Sequence, residues 1–302
     1  MQKKINYDVI IVGGSYAGLS AAMSLGRSRK KVLILDSGLP CNRQTPHSHN
    51  FITHDGSTPK EITEKAKEQV LKYATVEFKN QLATEGSRFD GGFVIKTESG
   101  NSYSASKLIF ATGIKDIMPD IKGFSECWGN TVIHCPYCHG YEFRDKKTGL
   151  LIDNEKAYHI AKLVNNLTDN IIVLTGGKDV FDLEQLDKLA QHNISIIDKK
   201  VAEIVHQNGL ITHVVFEDGS QTSFDAIYAS VPFEQHSKIP ELLGCQLTEQ
   251  GYLQVDNFQK TTLEGVYAIG DNSSPMRSVA NAVATGSFVG AMVNMELTAE
   301  RF

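Results

Sequence analysis

Cys135 and Cys138 stand in the run HCPYCHGYE as a Cys-x-x-Cys pair. Two thiols at this spacing can close a small-ring disulfide, and a helix beginning at the pair lowers a thiolate pKa through its positive end. Reversible two-electron chemistry is therefore the first reading. The same run packs four zinc-ligand side chains into six residues, His134, Cys135, Cys138 and His139. Adjacent His and Cys side chains seldom converge on one tetrahedral centre, and zinc sites draw their second ligand pair from a distant segment. Cys41, Cys127 and Cys245 are scattered singly and supply no such pair, so no metal is expected. A close pair among isolated thiols is also unlike the framework of a secreted disulfide scaffold, which points to the cytoplasm.

The elements that must position such a pair are legible on both sides of it. Asp8 to Val12 form an apolar, β-branched run of strand length, followed by Gly13, Gly14, Ser15, Tyr16, Ala17 and Gly18 and then the helical pattern LSAAMSLGRS. This is strand, tight turn, helix: Gly13 permits the turn, Gly18 permits close helix packing, and the helix start offers free N–H groups to a pyrophosphate. Ser15 replaces the central glycine of the usual fingerprint with a side chain small enough for close approach. A second strand, KVLILD, ends at Asp36, about 20 residues beyond the motif, where an acid hydrogen-bonds a ribose hydroxyl.

Two further segments favour flavin over nicotinamide. Around Gly91-Gly92 and Gly100-Asn101 the chain alternates as a meander and ends in a buried strand with Ala111, Thr112 and Gly113. Near the C-terminus GVYAIGD places Gly270 and Asp271 at a strand end, before Arg277, Ser278, Val279 and a long apolar-periodic helix. Asp271 is suited to a ribityl or pyrophosphate-side hydroxyl, and the helix start to the pyrimidine oxygen where charge develops on reduction. The stripe Val279, Val283, Val289, Met292 reads as core-facing, with a dimer seam as an alternative.

The chain has 302 residues and a formal net charge of −5, with Lys and Arg dispersed. That length suits two domains, and the charge leaves no footprint for nucleic acid or an anionic membrane. The apolar run near the N-terminus leads straight into the glycine turn, so it reads as a first strand rather than a signal segment.

VIIVGGSYAG, VLILD, LIFATG, the Cys-x-x-Cys and GVYAIGD together resemble the low-molecular-weight thioredoxin reductases over nearly the whole chain. The resemblance implies an α/β fold of two Rossmann-like three-layer domains: a discontinuous FAD domain over 1–116 and 242–302, and an inserted NAD(P)-type domain over 117–241 carrying the cysteines. It also implies a homodimer, with a thioredoxin-like protein or a small-molecule dithiol or disulfide as substrate. CPYCHGYE is closer still to the subgroup that oxidises small-molecule dithiols, including the gliotoxin-type oxidases and the enzymes that close depsipeptide disulfides. By that resemblance Cys138 lies against the flavin, Cys135 exchanges with substrate, and His139 replaces the reductases' Asp as the proton-handling group. PHSHNFITHDG resembles the subgroup's loop beside the isoalloxazine, which makes His47, His49 and Asp55 candidates for a substrate pocket, with His134 flanking the pair.

The insert departs from the reductase pattern. After the expected strand TGLLID come Asn154, Glu155, Lys156, Ala157, Tyr158 and His159, with no glycine where a backbone must approach a pyrophosphate. Downstream, IIVLTGGKDVFD offers Lys178 beside Asp179 and Asp182 but no arginine fork for a 2′-phosphate, and Gly176-Gly177 fall where a turn belongs. This puts NADPH binding by the usual mode in doubt. It leaves three electron routes: NADPH in an altered pose, another donor such as ferredoxin, or outward flow from a substrate dithiol to oxygen. A flavin-binding redox sensor is the non-enzyme alternative.

Overall fold

The computed structural model describes residues 6–302, which divide into two compact units. The first comprises residues up to Arg43, Ser57–Lys115 and Phe233–Phe302; the second comprises Gln44–Gly56 and Asp116–Pro232.

In the first unit the strands Val76–Asn80, Val32–Asp36, Tyr7–Val12 and Ser102–Phe110 lie side by side and parallel. The long strand Ser102–Phe110 is shared at its other edge. Its first half pairs antiparallel with Gly92–Thr97, which continues the meander to Ala83–Phe89. Its second half pairs parallel with Val266–Ala268. The central strands are buried on both faces, which explains their near-continuous apolar runs. All four parallel strands nearest the glycine turn therefore end on the same side, where a doubly wound sheet places its ligands.

The first helix, Tyr16–Arg27, and the C-terminal helix, Val279–Ala299, pack unusually closely. A methyl group on Gly286 would collide with the Ala17 carbonyl oxygen, and one on Gly290 would sit 2.6 Å from the Ala21 carbonyl oxygen. Ser20 Oγ donates to Val283 O at 2.7 Å and Ser24 Oγ to Ser287 O at 3.2 Å across the seam. The buried face of the C-terminal helix is Ala282, Gly286, Val289, Gly290, Val293 and Leu297. Val289 of the expected stripe lies on this face, whereas Val279, Val283 and Met292 are half-buried, and the closest approach is made by the small residues Gly286 and Gly290.

The second unit is a five-stranded parallel sheet in the order Ser195–Ile197, Ile171–Leu174, Thr148–Leu151, Ala226–Ala229, Val132–Ile133. A three-stranded antiparallel sheet, Val201–Gln207, Leu210–Phe216 and Gln221–Ser223, completes it. The fold class is thus the expected pair of Rossmann-like units, and each unit is built from more than one stretch of the chain.

Two segments sort differently from the sequence expectation. Residues 44–56 belong with the second unit, held there by His49 facing Glu142 at 3.6 Å and by Thr45 beside Gly129. Residues 233–241 belong with the first, because Phe233–Gln235 pairs with Ile114–Asp116 and Ile239 packs on the strand Ala83–Phe89 against Gly86. Among the described residues no helix is long and apolar enough to cross a membrane.

Candidate active site

The strand ends of the first unit gather the residues expected to hold a dinucleotide. Gly13 has φ +107, and a methyl group there would strike the Ala111 carbonyl, so the glycine turn lies directly on the Ala111-Thr112-Gly113 segment. Ala111 N donates to Val12 O at 2.8 Å and carries the strand pairing into that contact. A side chain on Gly18 would meet the Gly13 carbonyl, and one on Gly14 would meet the Phe78 ring at 2.6 Å. No other residue fits these three positions without moving backbone or the half-buried Phe78 ring. Ser15 is the N-cap of the first helix but makes no side-chain cap bond, and no acid stands in that helix's first turn. The N–H groups there are left for an anion, as a pyrophosphate cradle requires. Tyr16 and Ala17 are buried in the first turn, where Tyr16 Oη donates to Pro59 O at 3.2 Å.

Asp36 closes the second strand, and one of its carboxylate oxygens accepts the Gly14 N–H at 3.1 Å. Gly270, with φ +77, begins a short 3-10 turn, and Asp271 lies in it 3.9 Å from Arg277 Nε. Ser278 caps the C-terminal helix by accepting from Asn281 N at 3.1 Å, with Val279 as its first residue. The sequence reading missed Asn272. This fully buried side chain donates to Phe110 O at 2.9 Å and to Thr112 Oγ1 at 3.3 Å, tying the Ala-Thr-Gly segment to the Gly-Asp turn. Among the described residues its Oδ1 has no partner, as is also true of Gln235 Oε1, whose Nε2 donates to Asn272 O at 2.9 Å. Flanked by Asp271 and Ser273 in a polar turn, Asn272 carries no local mark of this role. The glycine cradle, the uncapped helix start and the orphaned buried acceptor all fit a dinucleotide such as FAD.

The second unit presents the redox pair. Cys135 and Cys138 are disulfide-bonded, with Cα atoms 5.3 Å apart. Pro136–His139 form a four-residue helical turn in which Cys135 Sγ accepts the Cys138 N–H at 3.2 Å, and the chain runs on as a 3-10 turn, Gly140–Phe143. The helix expected at the pair is a single turn, and Gly140 beyond it packs closely under Leu167 and Tyr228. A methyl group on Gly140 would lie 2.9 Å from the Tyr228 hydroxyl. Tyr137, between the two cysteines, and Tyr141, three residues beyond Cys138, are exposed.

Burial pushes the His139 imidazole below its ordinary pKa; a proton on His49 pushes the same way, and Glu142 pulls it back up. His139 is thereby inclined to its neutral, proton-accepting form near neutrality. His49 faces Asp55 as well as Glu142. His47 Nδ1 lies 3.0 Å from Gly56 O, a contact that closes the 44–56 loop. His134 stacks on Trp128, which stacks on Phe124. Among the described residues no three His, Cys, Asp or Glu side chains gather as a metal centre would need.

Such a site on such a fold defines a flavin-dependent disulfide oxidoreductase, and the chain belongs to the pyridine nucleotide-disulphide oxidoreductase family, matched over residues 7–286. It is 31% identical to the thioredoxin reductase tcpT of Claviceps purpurea, over 97% of this chain and 95% of that protein. Among solved structures it is similar to a putative thioredoxin reductase TrxB from Bacillus anthracis, with a TM-score of 0.93 and 29% identity over 98% of this chain and 100% of that one. An oxidoreductase from Agrobacterium tumefaciens gives a TM-score of 0.91 at 34% identity, covering 97% of this chain and 99% of its own.

Proposed function

We propose that this protein exchanges electrons between bound FAD and a dithiol or disulfide substrate through Cys135 and Cys138, and that NADPH does not serve it by the family's usual mode. FAD, held by Gly13, Gly14, Ser15, Tyr16, Ala17, Gly18, Asp36, Ala111, Thr112, Gly113, Asp271 and the Arg277–Val279 helix start, supplies the electron-pair partner for the couple. The observation that carries the second half is the turn after the strand Thr148–Leu151. Asn154 Oδ1 occupies the Lys156 N–H at 3.1 Å, and Asn154 O accepts the Ala157 N–H at 3.0 Å. Those are the donors a pyrophosphate needs. Lys178, the nearby cation, is ion-paired with Asp153, and Gly176 and Gly177, at φ +64 and +82, lie beyond the strand Ile171–Leu174 as a turn. A dinucleotide phosphate here meets side chains and negative charge.

The substrate half-reaction is thiol–disulfide exchange. A substrate thiol gives its proton to His139, its thiolate attacks Cys135 Sγ, the Cys135–Cys138 bond breaks, and Cys138 leaves as a thiolate with the electron pair. A second substrate thiol then attacks the mixed disulfide and releases Cys135. The substrate leaves oxidised and the protein holds a dithiol. Exposed aromatic side chains at Tyr137 and Tyr141 suit a small, partly apolar dithiol or a thioredoxin-like surface. The oxidising direction, with oxygen as final acceptor, is supported by His139 and the histidine-bearing 44–56 loop, which share the second unit with the cysteines. The deciding experiment is anaerobic mixing with NADPH, NADH and dithiothreitol in turn while following the flavin band. Bleaching by dithiothreitol, reversed by oxygen, is expected; rapid bleaching by NADPH sinks the proposal for the nicotinamide site.

A further inference from the structure

Tyr228, on the strand Ala226–Ala229, touches the redox segment twice. Its backbone is in register with Ile133, two residues before Cys135, and on the other side with Leu150. Its hydroxyl meets the segment again at Gly140, two residues beyond Cys138, where a methyl group on the glycine would lie 2.9 Å away. The chain from Ile133 to Gly140, with both cysteines in it, thus starts beside the Tyr228 backbone and ends against its hydroxyl.

That hydroxyl is in an unfavourable place while the disulfide is closed. Tyr228 is 1% exposed and clusters with Ile133, Leu150, Ala161 and Val164. Among the described residues its Oη has no hydrogen-bond partner. A buried hydroxyl without a partner loses its hydration and gains nothing for it, and phenylalanine would fill the same space without that loss. Burial, and after it the charge of Glu142, push the phenol's pKa up, so the group remains an O–H donor through the physiological range.

The turn against it leans on the disulfide. Cys138 N–H is directed at Cys135 Sγ, 3.2 Å away, and Cys135 O accepts from Cys138 N and His139 N at 3.3 Å each. Opening the S–S bond releases Cys138 from that sulfur and lets the turn settle onto the donor beside Gly140. Resting on the dithiol-exchange reading, we propose that Tyr228 is a positioning residue whose hydroxyl is reserved for the dithiol state: unpaired while Cys135 and Cys138 are bonded, it donates to the Cys138–Gly140 turn once they are reduced. An interaction made in one state and missing in the other shifts the equilibrium toward the state that has it. Tyr228 therefore favours the dithiol and makes the closed pair a stronger oxidant of an incoming thiol.

The neighbouring side chains are unsuited to that part. Leu167, which also packs on Gly140, has no polar atom. Tyr137 and Tyr141 are exposed and bond to solvent in either state. Glu142, an acceptor only, faces His49 at 3.6 Å. With dithiothreitol as reductant the reaction balances: its two thiols close to a cyclic disulfide, and the Cys135–Cys138 bond takes up the two electrons and two protons.

The test compares FAD-loaded wild type with Tyr228→Phe. Each is equilibrated without oxygen in buffers of reduced and oxidised dithiothreitol, and the opened fraction of Cys135–Cys138 is read by alkylation and peptide mapping while absorbance follows the flavin. In Tyr228→Phe the ratio of reduced to oxidised dithiothreitol that opens half the pairs should rise about three- to thirtyfold, or about 15–45 mV toward more negative potential. Urea unfolding supplies the second readout. With the disulfide closed, Tyr228→Phe should be as stable as wild type or more so; with it opened by a phosphine, less stable than wild type. A tyrosine that is merely structural would lose stability equally in both states and leave the ratio in place. An unshifted ratio, a shift toward easier reduction, or an equal loss of stability in both states overturns the proposal. A wild-type pair that dithiothreitol opens at no ratio defeats the exchange reading instead, and the urea comparison on phosphine-reduced protein then judges Tyr228 by itself.

Discussion

Replacing Gly286 by alanine tests whether the seam between the first and C-terminal helices positions the flavin cradle. The added methyl would collide with the Ala17 carbonyl oxygen and lie 2.9 Å from Ser20 Cβ, where ordinary contact begins at 3.4 Å. Backbone stands on both sides, so no side-chain rotation relieves the overlap and the helices must part by roughly 1 Å, a displacement of the kind that makes overpacking cost about 1–3 kcal/mol. Parting also weakens the Ser20–Val283 and Ser24–Ser287 hydrogen bonds, worth about 1 kcal/mol each, against a helix-propensity gain of about 1 kcal/mol for alanine over glycine. The net expectation is about 2–4 kcal/mol lost. Ala17 is in the first turn behind Gly13, so the same displacement disturbs the N–H groups offered to the pyrophosphate. Urea unfolding and the flavin content of the purified protein are the readouts. Gly290→Ala, one turn further from the cradle, should lose stability with a smaller loss of flavin, and the exposed Ser287→Ala should change neither by much. A Gly286→Ala protein as stable as wild type and fully yellow would refute the reasoning.

Other expectations follow from the same structure. Cys138→Ser should keep bound flavin but lose turnover with any dithiol or disulfide, measured by absorbance and by thiol titration of the product. Asn272→Leu should cost about 1–3 kcal/mol, because Phe110 O and Thr112 Oγ1 lose a buried donor, and should weaken flavin retention in dialysis. Glu296 joins Lys107 at 2.5 Å, Lys260 at 2.5 Å and Tyr267 at 2.6 Å. Burial pushes the Glu296 carboxyl up, but hydrogen bonds from Lys107, Lys260 and Tyr267 outweigh it and hold the pKa at about 2. A depressed carboxyl contributes its stability above its ordinary value of 4.5 and loses it as pH falls toward 2. Glu296→Gln should therefore lower the unfolding free energy from urea titration by about 1–3 kcal/mol at pH 7, and the gap from wild type should close as pH falls below 4.5. A gap that persists unchanged at pH 3 would show that the contribution is packing, not charge.

What the sequence disclosed and what it hid divide along the range of the interactions. The glycine turn, the strand ending at Asp36 and the Cys-x-x-Cys are legible because each is satisfied by neighbours within about one supersecondary unit. Gly13 needs a positive φ, and the residues around it announce strand and helix on their own. Gly286 and Gly290 carry no such mark. Within an apolar helix they read as filler, and only a partner more than 260 residues away, Ala17 or Ala21, shows that a side chain there is forbidden.

Asn272 is hidden for the same reason, since its donors serve Phe110 and Thr112 from the far side of the chain. The histidine loop is a mixed case. PHSHNFITHDG is conspicuous as a cluster, yet nothing local says that its partner is Glu142 or that the loop sorts with the cysteines rather than with the glycine turn. Imidazoles next to one another in sequence suggest a shared pocket, but the fold separates their tasks: His47 closes the loop, His134 packs on Trp128, and His49 alone reaches the turn that carries His139's neighbour. Chemistry that depends on one charge sensing another is set by these long-range placements, so it is the part of this site that residue type and spacing could nominate but not arrange.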